Sequence, residues 1–227
     1  MDGFYRKGWW GEGRGIEEIE KIFDNFWRFW RKTVTLCTLW IIVYIVMIDQ
    51  VIEYNKTFVA SKGYEKYVTD KFPNKKLAVL SCMDTRLTEL LPAALGLKNG
   101  DAKIIKNAGG VVISPFDSAV RSLVVAIYEL GVEEVMVVAH SCCGACNMSF
   151  SHFHHLMNER GITDETISVV RKCGIDIDQW LEGFRDTHAS VRQTVETIRT
   201  HPLIPKDVVV RGFIIDSVTG ELEEVFE

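Results

Sequence analysis

Three things are scarce in this 227-residue sequence, and each scarcity weighs against a class of protein. Positive charge is the first: 26 Lys and Arg stand against 31 Asp and Glu, for a formal charge of −5 and a pI near 5.7. A nucleic-acid binder would carry a basic face, so that class is set aside, although a small anionic ligand needs only one or two cations. Regularly spaced cysteine is the second. The six cysteines fall at 37, 82, 142, 143, 146 and 173, without the pattern of a small secreted disulfide scaffold, and a chain of this length does not need such staples. A reducing compartment with some thiols committed to metal is the better reading, which places the protein in the cytoplasm. The third is an apolar run long enough to cross a bilayer. Thr33 to Ile48 is free of charge and follows Arg28, Arg31 and Lys32, so it resembles an uncleaved signal anchor with a cytoplasmic N-terminus, but its 16 residues fall short of the ~20 needed to cross a bilayer without thinning or flanking help.

What is present divides near residue 47. Five of the six Trp (Trp9, Trp10, Trp27, Trp30 and Trp40) precede it, and only Trp180 follows. Residues 1–46 read as an N-terminal extension: an over-extended start, a membrane-associated segment acting through residues 33–48, or a helix docked on the domain or a partner. Residues 47–227 read as the functional domain. With 47% apolar and 25% charged residues overall, the chain can bury a real core.

Within 47–227, apolar spacing predicts a helix over Asp49 to Tyr67. Lys76 to Ser81 (KLAVLS) and Glu134 to Ala139 (EVMVVA) are short apolar runs suited to strands buried on both faces. Helices are expected over Leu87 to Leu95, from Ser114-Pro115 to about Leu130 with Gly131 as the stop, over Ala145 to Glu159, and over Asp178 to His201. Ala102 to Lys106, Val208 to Ile215 and Glu221 to Phe226 read as further strands, the last two joined at Ser217-Val218-Thr219-Gly220 as a hairpin. The alternation predicts an α/β fold: a mostly parallel central sheet flanked by helices, with a C-terminal antiparallel hairpin and an extra N-terminal helical or hydrophobic extension.

Chemistry concentrates in two motifs that begin 58 residues apart, Cys82-Met83-Asp84-Thr85-Arg86 and His140-Ser141-Cys142-Cys143-Gly144. Cys82 and His140 each end a predicted strand, at the sheet edge where open α/β sheets bind ligands. Two thiolates and one imidazole suit Zn²⁺, and three protein ligands leave one tetrahedral position for chemistry. Asp84 has two conceivable states. It can ligate the metal and close that position, or form a bidentate ion pair with Arg86 that holds it off the metal.

Cys-x-Asp-x-Arg followed by His-x-x-Cys-Gly resembles the β-class carbonic anhydrases, as do the Lys106-Asn107-Ala108-Gly109-Gly110 run and the terminal GFIIDSVTGELEEV. The short chain and Cys-Met-Asp-x-Arg-Leu look most like the compact prokaryotic branch. The resemblance covers about Met47 to Glu227. It implies that Cys82, His140 and Cys143 are the zinc ligands, one zinc per subunit, with Asp84 and Arg86 as the catalytic dyad. It implies reversible hydration of CO₂ to bicarbonate in a homodimer or higher even oligomer. Many members carry Asp where this chain has Cys142, so a free thiol beside a ligand is a departure. Hydrolysis of COS or CS₂ on the same zinc, and a non-catalytic zinc or redox sensor using Cys142 and Cys146, are the alternative readings.

Other candidates receive plainer readings. Cys37 and Cys173 are expected as buried, inert thiols. His152, His154 and His155 are expected on a solvated helix face. Gly109-Gly110 serves either close backbone approach to the pocket or a tight turn. Val111, Val112 and Phe116 are candidate walls of an apolar CO₂ pocket, or simply core.

Overall fold

A computed structural model describes residues 47–226. The readings for residues 1–46, including the run that starts at Thr33, the tryptophans before residue 47 and Cys37, lie outside the described residues. Among those described, no helix is long and apolar enough to cross a membrane. The chain separates into two compact units, one ending at Val68 and one beginning at Thr69.

In the first unit residues 47–60 form a helix, α1. The expected helix continued to Tyr67, but it stops seven residues earlier. Gly63 N–H reaches Phe58 O at 2.9 Å and Lys62 N–H reaches Val59 O at 3.0 Å, with Lys62 at φ +56°. That bond pair is a Schellman cap, and it ends a helix by satisfying its last carbonyls. A single 3₁₀ turn, Glu65–Tyr67, follows.

The second unit is built on five strands: β1 (Leu77–Cys82), β2 (Ala102–Asn107), β3 (Glu134–His140), β4 (Val209–Ile215) and β5 (Leu222–Val225). Their order is β2-β1-β3-β4-β5, with β1 to β4 parallel and β5 antiparallel to β4. The expected mixed sheet and terminal hairpin are both present. Helix α2 (Leu87–Ala94) buries Leu87 and Leu91 against Val79, Val138, Phe213 and Ile215 on one face. Helices α3 (Ser118–Leu130) and α7 (Thr187–Thr200) cover Ala78, Leu80, Val135 and Val137 on the other. Cover on both faces explains why β1 and β3 read as continuous apolar runs.

Chain order turns back in the middle of this sheet. From β1 the chain moves outward to β2, then returns past β1 to β3. The carboxyl ends of β1 and β3 therefore flank a topological switch point, where a crevice forms because the connections diverge. Cys82 and His140 are the last residues of those two strands.

Three further helix expectations need correction, and in the first two a local capping bond overrode periodicity. Helix α3 starts at Ser118, not Ser114, because Asp117 is the stronger cap: its carboxylate accepts from Val120 N at 2.9 Å and Ile113 N at 3.0 Å. Pro115 thus lies in the preceding loop. The helix expected from Ala145 becomes α4 (Phe150–Glu159), capped by Ser149, while residues 145–148 form turns with Asn147 at φ +66°. The long helix expected over Asp178 to His201 is two, α6 (Ile177–Trp180) and α7, broken at Gly183. A Cβ on Gly183 would sit 2.1 Å from Ala145 O, so the chain there lies against the loop after the second motif. Helix α5 (Asp164–Lys172), capped by Thr163, adds an element for which no expectation was formed.

Candidate metal centre

Strand register assembles the centre before any side chain is considered. Parallel pairing of β1 with β3, through Ser81 opposite Val138, sets Cys82 and His140 side by side at the switch point. The turn after β3 then brings Cys143 back over them. One donor atom from each of Cys82, His140 and Cys143 lies within 4.8 Å of the other two, and all three residues are buried. The two sulfurs are 3.8 Å apart. Two thiolates on one tetrahedral ion, each bonded at about 2.3 Å, would stand about 3.8 Å apart.

His140 supplies a second test of fit. Its Nδ1 lies 2.9 Å from Ser141 O, a carbonyl that can only accept, which assigns the ring hydrogen to Nδ1. The lone pair on Nε2 is left pointing inward, buried and without a hydrogen-bond partner among the described residues. A buried orphan nitrogen beside two sulfurs is costly in a protein interior and is satisfied by a cation. The donor set therefore fits Zn²⁺.

The thiols tell the same story electrostatically. Burial raises the Cys82 thiol, but the His140 ring and the backbone N–H groups of Asp84 and Gly109 outweigh it, bringing it from 9.0 to about 7. Burial pushes Cys143 up to about 11, helped by the charge on Cys82 beside it. The contact with Cys82 raises His140 against the opposing effect of its burial. Two buried thiolates at this spacing repel, and a dication between them removes the conflict.

Asp84 and Arg86 form the rim. Arg86 donates Nε–H to Asp84 Oδ1 at 3.0 Å and Nη2–H to Oδ2 at 2.8 Å, and its backbone N–H adds a bond to Oδ1 at 2.9 Å. Those bonds hold the Asp84 carboxyl well below the usual carboxylate range and raise the Arg86 guanidinium. Of the two states expected for Asp84, the structure displays the ion pair. Its Oδ2 is 3.8 Å from His140 Nε2, while the three-residue donor group does not include it. Arg86 Nη2 also donates to Cys142 O at 3.0 Å, so one guanidinium ties the first motif to the second.

The remaining candidates fall into place around this core. Gly110 has φ +67°, and a Cβ there would meet Cys82 N at 2.8 Å. Both expectations for that pair hold, since the turn requires glycine and backbone approaches backbone behind Cys82. Cys142 is exposed at φ +54°, Cys146 is half-buried with its Sγ 3.8 Å from Arg185 O, and the five described cysteines are free thiols. Cys173 is exposed, not buried as expected, because it caps the end of the surface helix α5. His152 and His155 are exposed and His154 half-buried, with His154 meeting Asp164 at 2.6 Å and His155 meeting Glu159 at 3.4 Å, so they form a solvated face. Val112 is core, whereas Phe116 is 76% exposed with its ring against His201.

Sequence reasoning missed the partners behind the centre. Lys106 Nζ donates to Cys82 O at 3.3 Å, and Asn107 O accepts from Met83 N at 2.8 Å. Ser217 and Asp216 reach Ser141 from the hairpin. The Ser217–Gly220 turn was legible, but its pairing across to Ser141 depends on the β3–β4 register, which linear spacing does not contain.

Comparison with known proteins agrees with this geometry. Residues 77–222 match the family model described as carbonic anhydrase. YtiB of Bacillus subtilis, which carries the carbonic anhydrase name provisionally, is 48% identical over 177 residues, covering 78% of this chain and 95% of that protein. Beta-carbonic anhydrase 1 of Mycobacterium tuberculosis is 35% identical over 153 residues, covering 67% and 83%. The crystal structure of β-carbonic anhydrase isoform I from Trichomonas vaginalis superposes with a TM-score of 0.72 at 31% identity, covering 79% of this chain and 97% of that one.

Proposed function

The chain belongs to the β-class of the carbonic anhydrase family, and on that premise we propose that it catalyses the reversible hydration of carbon dioxide to bicarbonate and a proton. Cys82, His140 and Cys143 would hold the zinc ion on which the family depends. Zinc bound there supplies Lewis acidity and brings the pKa of water toward neutrality, so that a hydroxide nucleophile is available at working pH. The observation that carries the reading is the position of Asp84. A fourth possible donor stands beside the donor set, and Arg86 holds it in an ion pair, so that a bound metal would keep a position for solvent.

The residues divide the work by chemistry. Two thiolates donate more charge than imidazoles do and would leave a bound water less acidic, so a neighbouring acceptor would have to compensate. Asp84 provides that acceptor and aims the attacking lone pair at the carbon of CO₂. Its carboxyl is held well below the usual carboxylate range, so Asp84 stays an anionic hydrogen-bond acceptor that would orient the nucleophile without itself carrying the proton. Arg86 keeps Asp84 in this geometry through the guanidinium fork, which a lysine ammonium cannot reproduce. Carbon dioxide and water would be consumed and bicarbonate and a proton formed, the product leaving to solvent.

We read residues 47–227 as the catalytic domain, a homodimer as the smallest competent unit, and the cytoplasm as the location; sedimentation of the purified chain checks the dimer. Stopped-flow CO₂ hydration by the zinc-loaded protein tests the activity. A catalysed rate above buffer between pH 7 and 9 is expected, and a rate equal to buffer across that range overturns the proposal.

A further inference from the structure

Behind His140, on the side away from the sulfurs, lies a chain of hydrogen bonds that the chemistry above does not use. It begins at the carbonyl of Ser141, which accepts from His140 Nδ1 at 2.9 Å. The same carbonyl lies 3.2 Å from Ser217 Oγ, which donates to it. Ser217 N–H in turn donates to Ser141 Oγ at 3.0 Å, and Ser141 Oγ–H donates to Asp216 Oδ2 at 3.2 Å. With each hydroxyl hydrogen committed in this way, the two Oγ atoms stand 3.2 Å apart without a hydrogen bond of their own.

The cluster is anchored from the far end. Asp216 Oδ1 accepts from Val218 N at 2.9 Å, Thr219 N at 2.7 Å and Thr219 Oγ1 at 3.1 Å. One carboxylate oxygen is thus spent on the β4–β5 turn, which leaves the other for Ser141. Register brings the two ends together: His140 pairs with Ile215, Ser141 N–H bonds to Ile215 O at 3.0 Å, and Asp216 and Ser217 follow directly. Ser141 and Ser217 are therefore clamped to each other at two points. Ser217 is a buried polar residue with no apolar role to explain it.

We propose that Ser217 is a positioning residue for the metal centre: its hydroxyl pins the Ser141 carbonyl, that carbonyl fixes the plane and tautomer of the His140 ring, and the terminal hairpin thereby sets metal affinity. The inference rests on the reading of His140 as a zinc ligand. Its physical basis is general. A ligating imidazole is oriented by whatever accepts its other N–H, and removing such an outer partner costs about 10- to 100-fold in metal affinity. Ser217 acts one bond further out, so the effect belongs at the lower end.

Zinc affinity, measured by competition with a chromophoric chelator, and the ligand-field bands of the cobalt-substituted protein test this without using turnover. Ser217→Ala is expected to weaken zinc binding roughly tenfold and to shift the cobalt bands. Ser217→Thr, which keeps the hydroxyl, is expected to restore both toward the parent values. Equal zinc affinity and identical cobalt bands in Ser217→Ala overturn the proposal. Should that variant fail to fold, Asp216→Asn carries the test. It keeps an acceptor for the turn but presents an amide where Ser141 Oγ–H needs a carboxylate, and unchanged zinc affinity there also overturns the proposal. His140→Ala separates the two layers. Zinc binding indifferent to His140 removes the ligand reading and this inference with it, whereas dependence on His140 with indifference to Ser217 removes the inference alone.

Discussion

Cys82, His140 and Cys143 are each less than a tenth exposed, whereas Arg86, which faces them across Asp84, keeps 43% of its side chain in solvent. The buried floor is positioned by backbone. Two of its donors end adjacent parallel strands, and the third is returned by a turn that packs Cys143 and Ala145 against Leu87 and Leu91. The exposed rim is positioned by side-chain hydrogen bonds, chiefly the fork between Arg86 and Asp84 and the bond from Arg86 to the Cys142 carbonyl. The contrast separates two tasks. Holding a metal requires donors that do not move, which a covered sheet supplies. Keeping a carboxylate off the donor set requires holding it to one side, and a single ion pair at the surface does that without burying another charge.

The largest predicted effect breaks the floor. His140→Ala removes one of three donors, and zinc affinity is expected to fall by more than about 100-fold, beyond the range typical of outer-shell changes. Metal analysis after dialysis checks this, and stoichiometric zinc in the dialysed variant would contradict the assignment. Folding of the strand core should survive, because Ala78, Leu80, Val135 and Val137 pack independently of the metal.

A smaller effect separates rim from floor. Asp84→Asn is expected to keep full zinc while CO₂ hydration falls on the order of 100-fold, the scale of one lost preorganised hydrogen bond at a reacting group. Arg86→Lys is expected to lose about tenfold, since the charge remains and only the fork geometry is gone. Zinc content and stopped-flow rates on the same samples report both quantities. If either variant lost zinc in proportion to rate, rim and floor would be one structure rather than two.

How legible each region was follows from the same division. β1 and β3 could be read because their burial on both faces leaves unbroken apolar runs, and each motif begins where such a run ends. The switch point between them was not legible, because the strand order that creates it is set by pairing between distant segments. The helix starts were less legible, since Asp117, Ser149 and Asp186 set them through single capping bonds. Periodicity ran past those caps, and past the break at Gly183 whose cause is a carbonyl 38 residues earlier. The state of Asp84 was open in the sequence because both alternatives use the same residues, and only side-chain geometry distinguishes them. Ser217 was invisible for a related reason. It sits in a turn that any hairpin would supply, and its partner is 76 residues away.

Acidification sharpens the comparison with the smallest perturbation. The Asp84 carboxyl is depressed in the folded state by Arg86, first through the side-chain fork and then through the backbone N–H. A depressed carboxyl contributes stability above its unfolded value, near 3.9, and loses it only as pH falls through the lower folded value. The latch is therefore intact throughout the range in which the enzyme works. The floor responds sooner, because its sulfur and imidazole donors must be deprotonated to bind metal and protons compete with zinc as pH drops. Zinc release is expected on lowering pH from 7 toward 5, while the carboxyl ¹³C shift of Asp84 stays constant until well below pH 4. Chelator-monitored zinc loss and carboxyl NMR on the same sample follow the two regions separately. A carboxyl resonance that moved in step with zinc release would mean that Asp84 answers to the metal rather than to Arg86, and the distinction between rim and floor would fail at the residue that defines it.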